Sequence, residues 1–173
     1  FALQEMCEEA GVHLLLHSAL CGARRAGNGV QAVQVANKAG VQEIVAEHFV
    51  DATGDADLTH FAGFPTDKGR PGDGLTQPMT LLFRVGGVDE EKLPNHAGIN
   101  ALYETAKREG RVHNPRENVL LFHTPRPGEM LFNTTRVVKR DGTKAEDLTE
   151  AELEGRRQVW EMVRFLRAEV PGF

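Results

Sequence analysis

Among its 173 residues the chain has one serine, one tryptophan, one tyrosine and two cysteines, and each shortage closes off a class of chemistry. The lone serine, Ser18, stands in no Gly-x-Ser-x-Gly context and directly follows His17, an adjacency that sends two strand side chains to opposite faces. A serine nucleophile is therefore not expected. Cys7 and Cys21 show no Cys-x-x-Cys spacing and no companion histidine motif, and read as buried apolar filler in a reducing cytoplasm. Of the seven histidines only His13 and His17 lie close together. On a strand they stand about 13 Å apart, too far to share one ion. Asp51, Asp55 and Asp57 cluster, but the glycine and distal glutamate of a calcium loop are missing, so no metal is expected.

Long apolar runs are also missing. No stretch reaches the roughly 18 residues that a membrane helix needs, and no basic-then-apolar leader opens the chain, so the expectation is a cytoplasmic protein without a membrane partner. The formal net charge is −5 and the basic residues are scattered, with Arg24-Arg25 and Arg156-Arg157 as isolated pairs. Nothing there favours a nucleic-acid partner. The 18 glycines contain no Gly-x-Gly-x-x-Gly: after Gly27 and Gly29 the third position is Ala32, and after Gly72 and Gly74 it is Gln77.

What is present is a run from Phe49 through Val50-Asp51-Ala52-Thr53-Gly54-Asp55-Ala56-Asp57, an apolar strand that meets a turn of small residues and opens into a polar, helical segment. Small side chains let a ligand approach the main chain, and the following amides can meet negatively charged oxygens. The plainer reading of the same residues is a strand ending in a tight turn closed by an Asx hydrogen bond.

The order of elements around this run is informative. A helix to about Ala10, stopped by Gly11, precedes a strand Val12–His17. Three short alternating segments follow, Ala19–Arg25, Val30–Val35 and Val41–His48, with Gly/Asn turns between them, the pattern of an antiparallel meander. The breaker-rich loop from Lys68 to Gly74 marks a boundary, giving a first domain of residues 1–63 and a second of 64–173. In the second, Thr80–Val85, Val119–His123 and Met130–Val138 read as strands. Ile99, Leu102, Tyr103 and Ala106 recur at helical spacing. The last helix is expected to open at a Thr149/Glu152 capping box, with Val159, Met162, Val163, Leu166 and Val170 on one apolar face.

Taken together, Val50–Leu58 with Ala62-Gly63, Gln77-Pro78-Met79-Thr80, Phe132-Asn133-Thr134-Thr135-Arg136 and Leu148-Thr149 to Gln158 resemble the bacterial FAD-dependent oxidoreductases of the glutathione-reductase type. The resemblance implies an α/β chain, more strictly an α+β mixture. Its first part would be a partial Rossmann-like FAD-binding domain carrying the meander, and its second a mixed-sheet substrate domain with flanking helices. It implies FAD as cofactor, with Ala52, Thr53, Gly54 and Asp55 beside it, and hydride transfer to or from a small-molecule substrate. It does not name a catalytic acid or base. Arg84, His123, Asn133 and Arg136 are candidate substrate contacts because they are polar groups on the strands of the second domain. Arg136 leads them, since a guanidinium among the apolar neighbours Phe132, Val137 and Val138 needs a partner, a role an anionic substrate would fill.

The missing first fingerprint, the opening at Phe1 inside a helix and the ending at Phe173 lead to the expectation of an interior fragment, inactive and weak in FAD binding by itself. Its apolar faces at Leu3, Met6 and Cys7 and at Val12–Leu16 should then drive self-association. A non-catalytic module binding a ligand or protein through Gly74–Val85, and a nucleotide-binding enzyme without redox activity, remain open alternatives.

Overall fold

The alternation of short apolar segments with Gly/Asn turns produces the first sheet directly. In the computed structural model, which describes residues 1–173, α1 (Ala2–Glu9) ends at Gly11, whose φ of +69° suits a helix stop. The meander follows as β1 (Ala19–Ala26), β2 (Gly29–Asn37) and β3 (Gly40–Val45), antiparallel and in sequence order. Gly27 and Gly40 take the positive φ that tight hairpins require. The short helix α2 (Asp57–Phe61) comes next.

Two compact units divide the chain, Phe1–Asp67 and Lys68–Phe173. The first has a thin core, in which Ala32, Val35, Leu58 and Ala62 are the buried apolar residues. Arg25 fastens it from outside. Its guanidinium donates to the carbonyls of Gly27 (2.7 Å) and Gly63 (3.0 Å) and lies 4.1 Å from the centre of the Phe64 ring.

Val12–His17 and Phe49–Val50 do not form strands. A parallel strand is stabilised by neighbours on its edges and cover on both faces. No strand of the chain pairs with either segment, and Leu16 and Val50 are 67% and 89% exposed. The cysteines also depart from expectation: Cys7 is half-buried and Cys21 exposed, both as free thiols. Cys21 sits on β1 facing outward, with its thiol 3.4 Å from the carbonyl of Gln34.

In the second unit, β4 (Phe83–Gly86), β5 (Leu121–His123) and β6 (Glu129–Phe132) form a sheet in the order β4-β6-β5. Both pairings are antiparallel, so this sheet is not mixed. Its buried face, including Phe83, Val85, Met130, Phe132 and Leu121, packs with α3 (His96–Arg108) and α4 (Ala145–Glu169) around one core. Phe83 stacks on Phe132 at 4.9 Å, and Tyr103 meets Phe165 edge-on at 5.6 Å.

Beyond β6 the pairing continues through one side chain and one backbone bridge. The Thr135 hydroxyl donates to the Leu81 carbonyl (3.0 Å) and accepts from the Leu81 N–H (2.7 Å), and Met79 bridges to Val137. On α4, Gln158 completes the arrangement by accepting from the Arg136 N–H (2.7 Å) and donating to its carbonyl (3.0 Å). Helix α4 begins at Ala145, one turn before the expected capping box. Thr149 lies inside it, its hydroxyl bonded back to the Ala145 carbonyl at 2.9 Å. Asp147 instead takes up the N–H of Asp141 at 2.6 Å.

Candidate functional site

The turn after Val50 is organised by one carboxylate. Asp51 Oδ1 accepts from the N–H (3.2 Å) and hydroxyl (2.7 Å) of Thr53, and Oδ2 accepts from the N–H (2.9 Å) and hydroxyl (2.7 Å) of Thr59. These bonds, the Thr53 hydroxyl first among them, hold the Asp51 carboxyl well below the usual carboxylate range. The first pair closes the Asx turn expected from the residue types. The second reaches into α2 and ties both sides of the turn to one side chain. Thr53 then passes the connection on, its hydroxyl accepting from the Asp57 N–H at 2.8 Å.

Inside this frame the chain exposes backbone. Gly54 has a φ of +94°, and a Cβ there would meet nothing within 4 Å. Ala56 is also left-handed, at φ +59°, an uncommon state for alanine that the flanking hydrogen bonds impose. Ala52, Thr53, Gly54 and Asp55 are all exposed. The N–H groups of Gly54, Asp55 and Ala56 have no acceptor in the chain, whereas those of Thr53 and Asp57 do. Consecutive free amides on a turn whose side chains, apart from the Asp55 carboxylate, are small suit an oxygen-rich ligand, so the residues present fit a dinucleotide cofactor.

The chain matches the family model for FAD dependent oxidoreductases over residues 1–173. It belongs to that family. The family is FAD dependent, and FAD is accordingly the cofactor of this chain. No curated protein and no solved structure matches it.

Four polar residues of the second unit were candidates for substrate contact in this oxidoreductase, and each has its own partner. Arg84, paired with Leu131 across the sheet, lies on the open face and meets Glu129 at 3.4 Å. His123 pairs with Met130, on the opposite face from Arg84, and its Nδ1 lies 3.0 Å from Glu90. Asn133 Oδ1 is 3.4 Å from the Thr80 hydroxyl. Arg136 is bonded to Glu117, so the anion expected beside this half-buried guanidinium is supplied by the chain itself. No hydrogen bond or ion pair links these four residues to one another.

Two determinants escaped the sequence reading: Thr59 as the second anchor of Asp51, and Glu117 as the partner of Arg136. The Thr59 anchor had a signal, since a hydroxyl in the first turn of a helix after an Asx turn can return to the turn's carboxylate. Glu117, nineteen residues before Arg136, had none. No group of three or more His, Cys, Asp or Glu side chains is placed to hold a metal, and no helix is long and apolar enough to cross a membrane.

Proposed function

We propose that this FAD-dependent oxidoreductase chain holds its cofactor against the Ala52–Asp55 turn, with the second unit serving the substrate. The free amides of Gly54, Asp55 and Ala56, fixed by Asp51, support this reading most strongly. Ala52 and Thr53 provide a low wall, and Gly54 lets the cofactor approach the main chain. When bound, the flavin supplies hydride-transfer chemistry with a small-molecule substrate.

In this reading residues 1–63 contribute part of a Rossmann-like flavin domain and residues 64–173 part of a substrate domain, in the manner of the glutathione-reductase type. Arg84 and Asn133 present a cation and an amide to substrate, and Arg136 and His123 act through their carboxylate partners, Glu117 and Glu90. With no Gly-x-Gly-x-x-Gly turn in its sequence, the 173-residue chain binds FAD weakly by itself and is inactive alone.

The test is a visible spectrum and FAD titration of this chain and of the longer reading frame that contains it. The longer form should be yellow and lose flavin on Gly54→Val, which fills the approach to the backbone. A longer form that stays colourless with added FAD would leave the turn as a purely structural element.

A further inference from the structure

A second site lies far in sequence from the flavin turn. An open groove of about 720 Å³ runs along the outer side of α4 in the second unit. That volume falls within the size range of small-molecule sites. Its helical wall carries Arg157, Trp160 and Arg164, residues at i, i+3 and i+7 that share one stripe about 10 Å long at the helical rise. Trp160 is the chain's single tryptophan, it is 64% exposed, and its indole N–H donates to nothing in the chain. Phe165 forms the apolar floor.

The charges in the groove are unequal. Glu161 is fully occupied by the opposite wall, accepting from the N–H groups of His113 (2.8 Å) and Asn114 (2.9 Å). Glu169 is bonded to Arg111. Arg157 has an exposed partner in Glu154, a surface pair of little strength. Arg164 has no carboxylate within 4.0 Å and is exposed. A large aromatic surface thus stands one helical turn from an uncommitted guanidinium, and the two carboxylates that line the groove, Glu161 and Glu169, are engaged by other partners.

We infer that this groove binds a planar aromatic anion of nucleotide size, its ring stacked on Trp160 and its anionic group held by Arg164, with Arg157 at the other end of the stripe. A ring alone gains only stacking, and an inorganic anion alone gains only an exposed charge pair. A ligand carrying both engages the two together, and the fork geometry of arginine suits phosphate or carboxylate oxygens.

Because Trp160 is the only tryptophan, its fluorescence reports on this groove directly. The 173-residue chain is titrated with adenosine 5′-monophosphate, adenosine and inorganic phosphate in parallel. The monophosphate should quench saturably and bind about tenfold more tightly than either single-chemistry probe, and Arg164→Gln should remove about that tenfold with an unchanged circular dichroism spectrum. Calorimetry on Trp160→Ala, which needs no fluorophore, should show the monophosphate signal lost. The proposal is overturned if adenosine binds as tightly as its monophosphate, if Arg164→Gln leaves the affinity unchanged, or if none of the three probes changes the fluorescence.

Discussion

Thr134 satisfies both backbone groups of Leu120 with one hydroxyl: Oγ1 accepts from the Leu120 N–H and donates to the Leu120 carbonyl, each at 3.0 Å. The side chain thus does what a paired strand residue would do, at the point where the regular ladder between β5 and β6 has ended. Thr134 is completely buried. Valine there keeps the shape and strands the Leu120 N–H, whereas the Leu120 carbonyl keeps the Asn133 N–H at 2.9 Å, so Thr134→Val should cost about 1–3 kcal/mol in denaturant unfolding followed by circular dichroism. Thr134→Ser, which retains the hydroxyl, should lose clearly less.

Gly155 on α4 faces Leu81 in the segment before β4. A Cβ at that position would stand 3.1 Å from Leu81 Cβ. The Leu81 Cβ is fixed by its backbone, so replacement by valine must push the helix and the Leu81 segment apart. Gly155→Val is expected to destabilise the second unit by about 1–3 kcal/mol, measured by the same unfolding assay. An unchanged midpoint would mean that α4 is free to shift there.

The Asp51 turn should respond to acid in a defined direction. Its carboxyl is depressed below the ordinary value of 3.8 by the Thr53 and Thr59 hydrogen bonds. The ionised form is therefore favoured in the folded chain, and the stabilisation is fully present above the ordinary carboxylate pKa. It is lost as the pH falls from there through the folded pKa. The Thr59 amide resonance should hold its position from neutral pH down to about pH 4 and move only below it. In Asp51→Asn it should be displaced at every pH, and amide exchange across Thr53–Thr59 should be faster.

Self-association is expected from the first unit. Leu14, Leu15 and Leu16 are 42%, 53% and 67% exposed, and α1 buries none of its residues. Sedimentation velocity should show a mean mass that rises with concentration, and Leu15→Asp with Leu16→Asp should lower it. A concentration-independent monomer in the parent chain would show that these leucines are covered some other way.

The meander could be read from the sequence because its information is local: a glycine with positive φ, an alternating pattern and a short loop determine each hairpin without help from the rest of the chain. Helix α3 was legible for a similar reason, its buried Ile99, Tyr103 and Ala106 recurring at the helical period. The segments Val12–His17 and Phe49–Val50 carry strand composition, but strand composition describes a surface waiting for neighbours, and pairing is decided by residues that propensity does not see. The start of α4 was misplaced because the capping-box pattern at Thr149 and Glu152 lies one turn after the acidic first turn of Glu146 and Asp147 at which the helix opens, and Thr149 bonds back to the Ala145 carbonyl inside it. Around the candidate site, the Asx turn at Asp51 followed from residue types within a few positions. The pairings of Arg136 with Glu117 and of His123 with Glu90 join segments that only the folded sheet brings together.

The uneven distribution of buried surface has a kinetic consequence. In the meander each pairing closes a short loop, Ala26 opposite Gly29 and Asn37 opposite Gly40, so the hairpins can form within microseconds. The sheet of the second unit must instead bring Phe83 to Phe132 across the whole of α3 and β5 before its aromatic stack exists, and such nonlocal closure is slow. Yet the meander rests on a few small buried residues, whereas the slow sheet closes over the large cluster around Tyr103, Phe132 and Met162. Early formation and lasting protection thus belong to different halves of the chain. In hydrogen exchange the strands that appear first on folding should also be the first to lose their labels, opening at lower free energy than the sheet that arrives late.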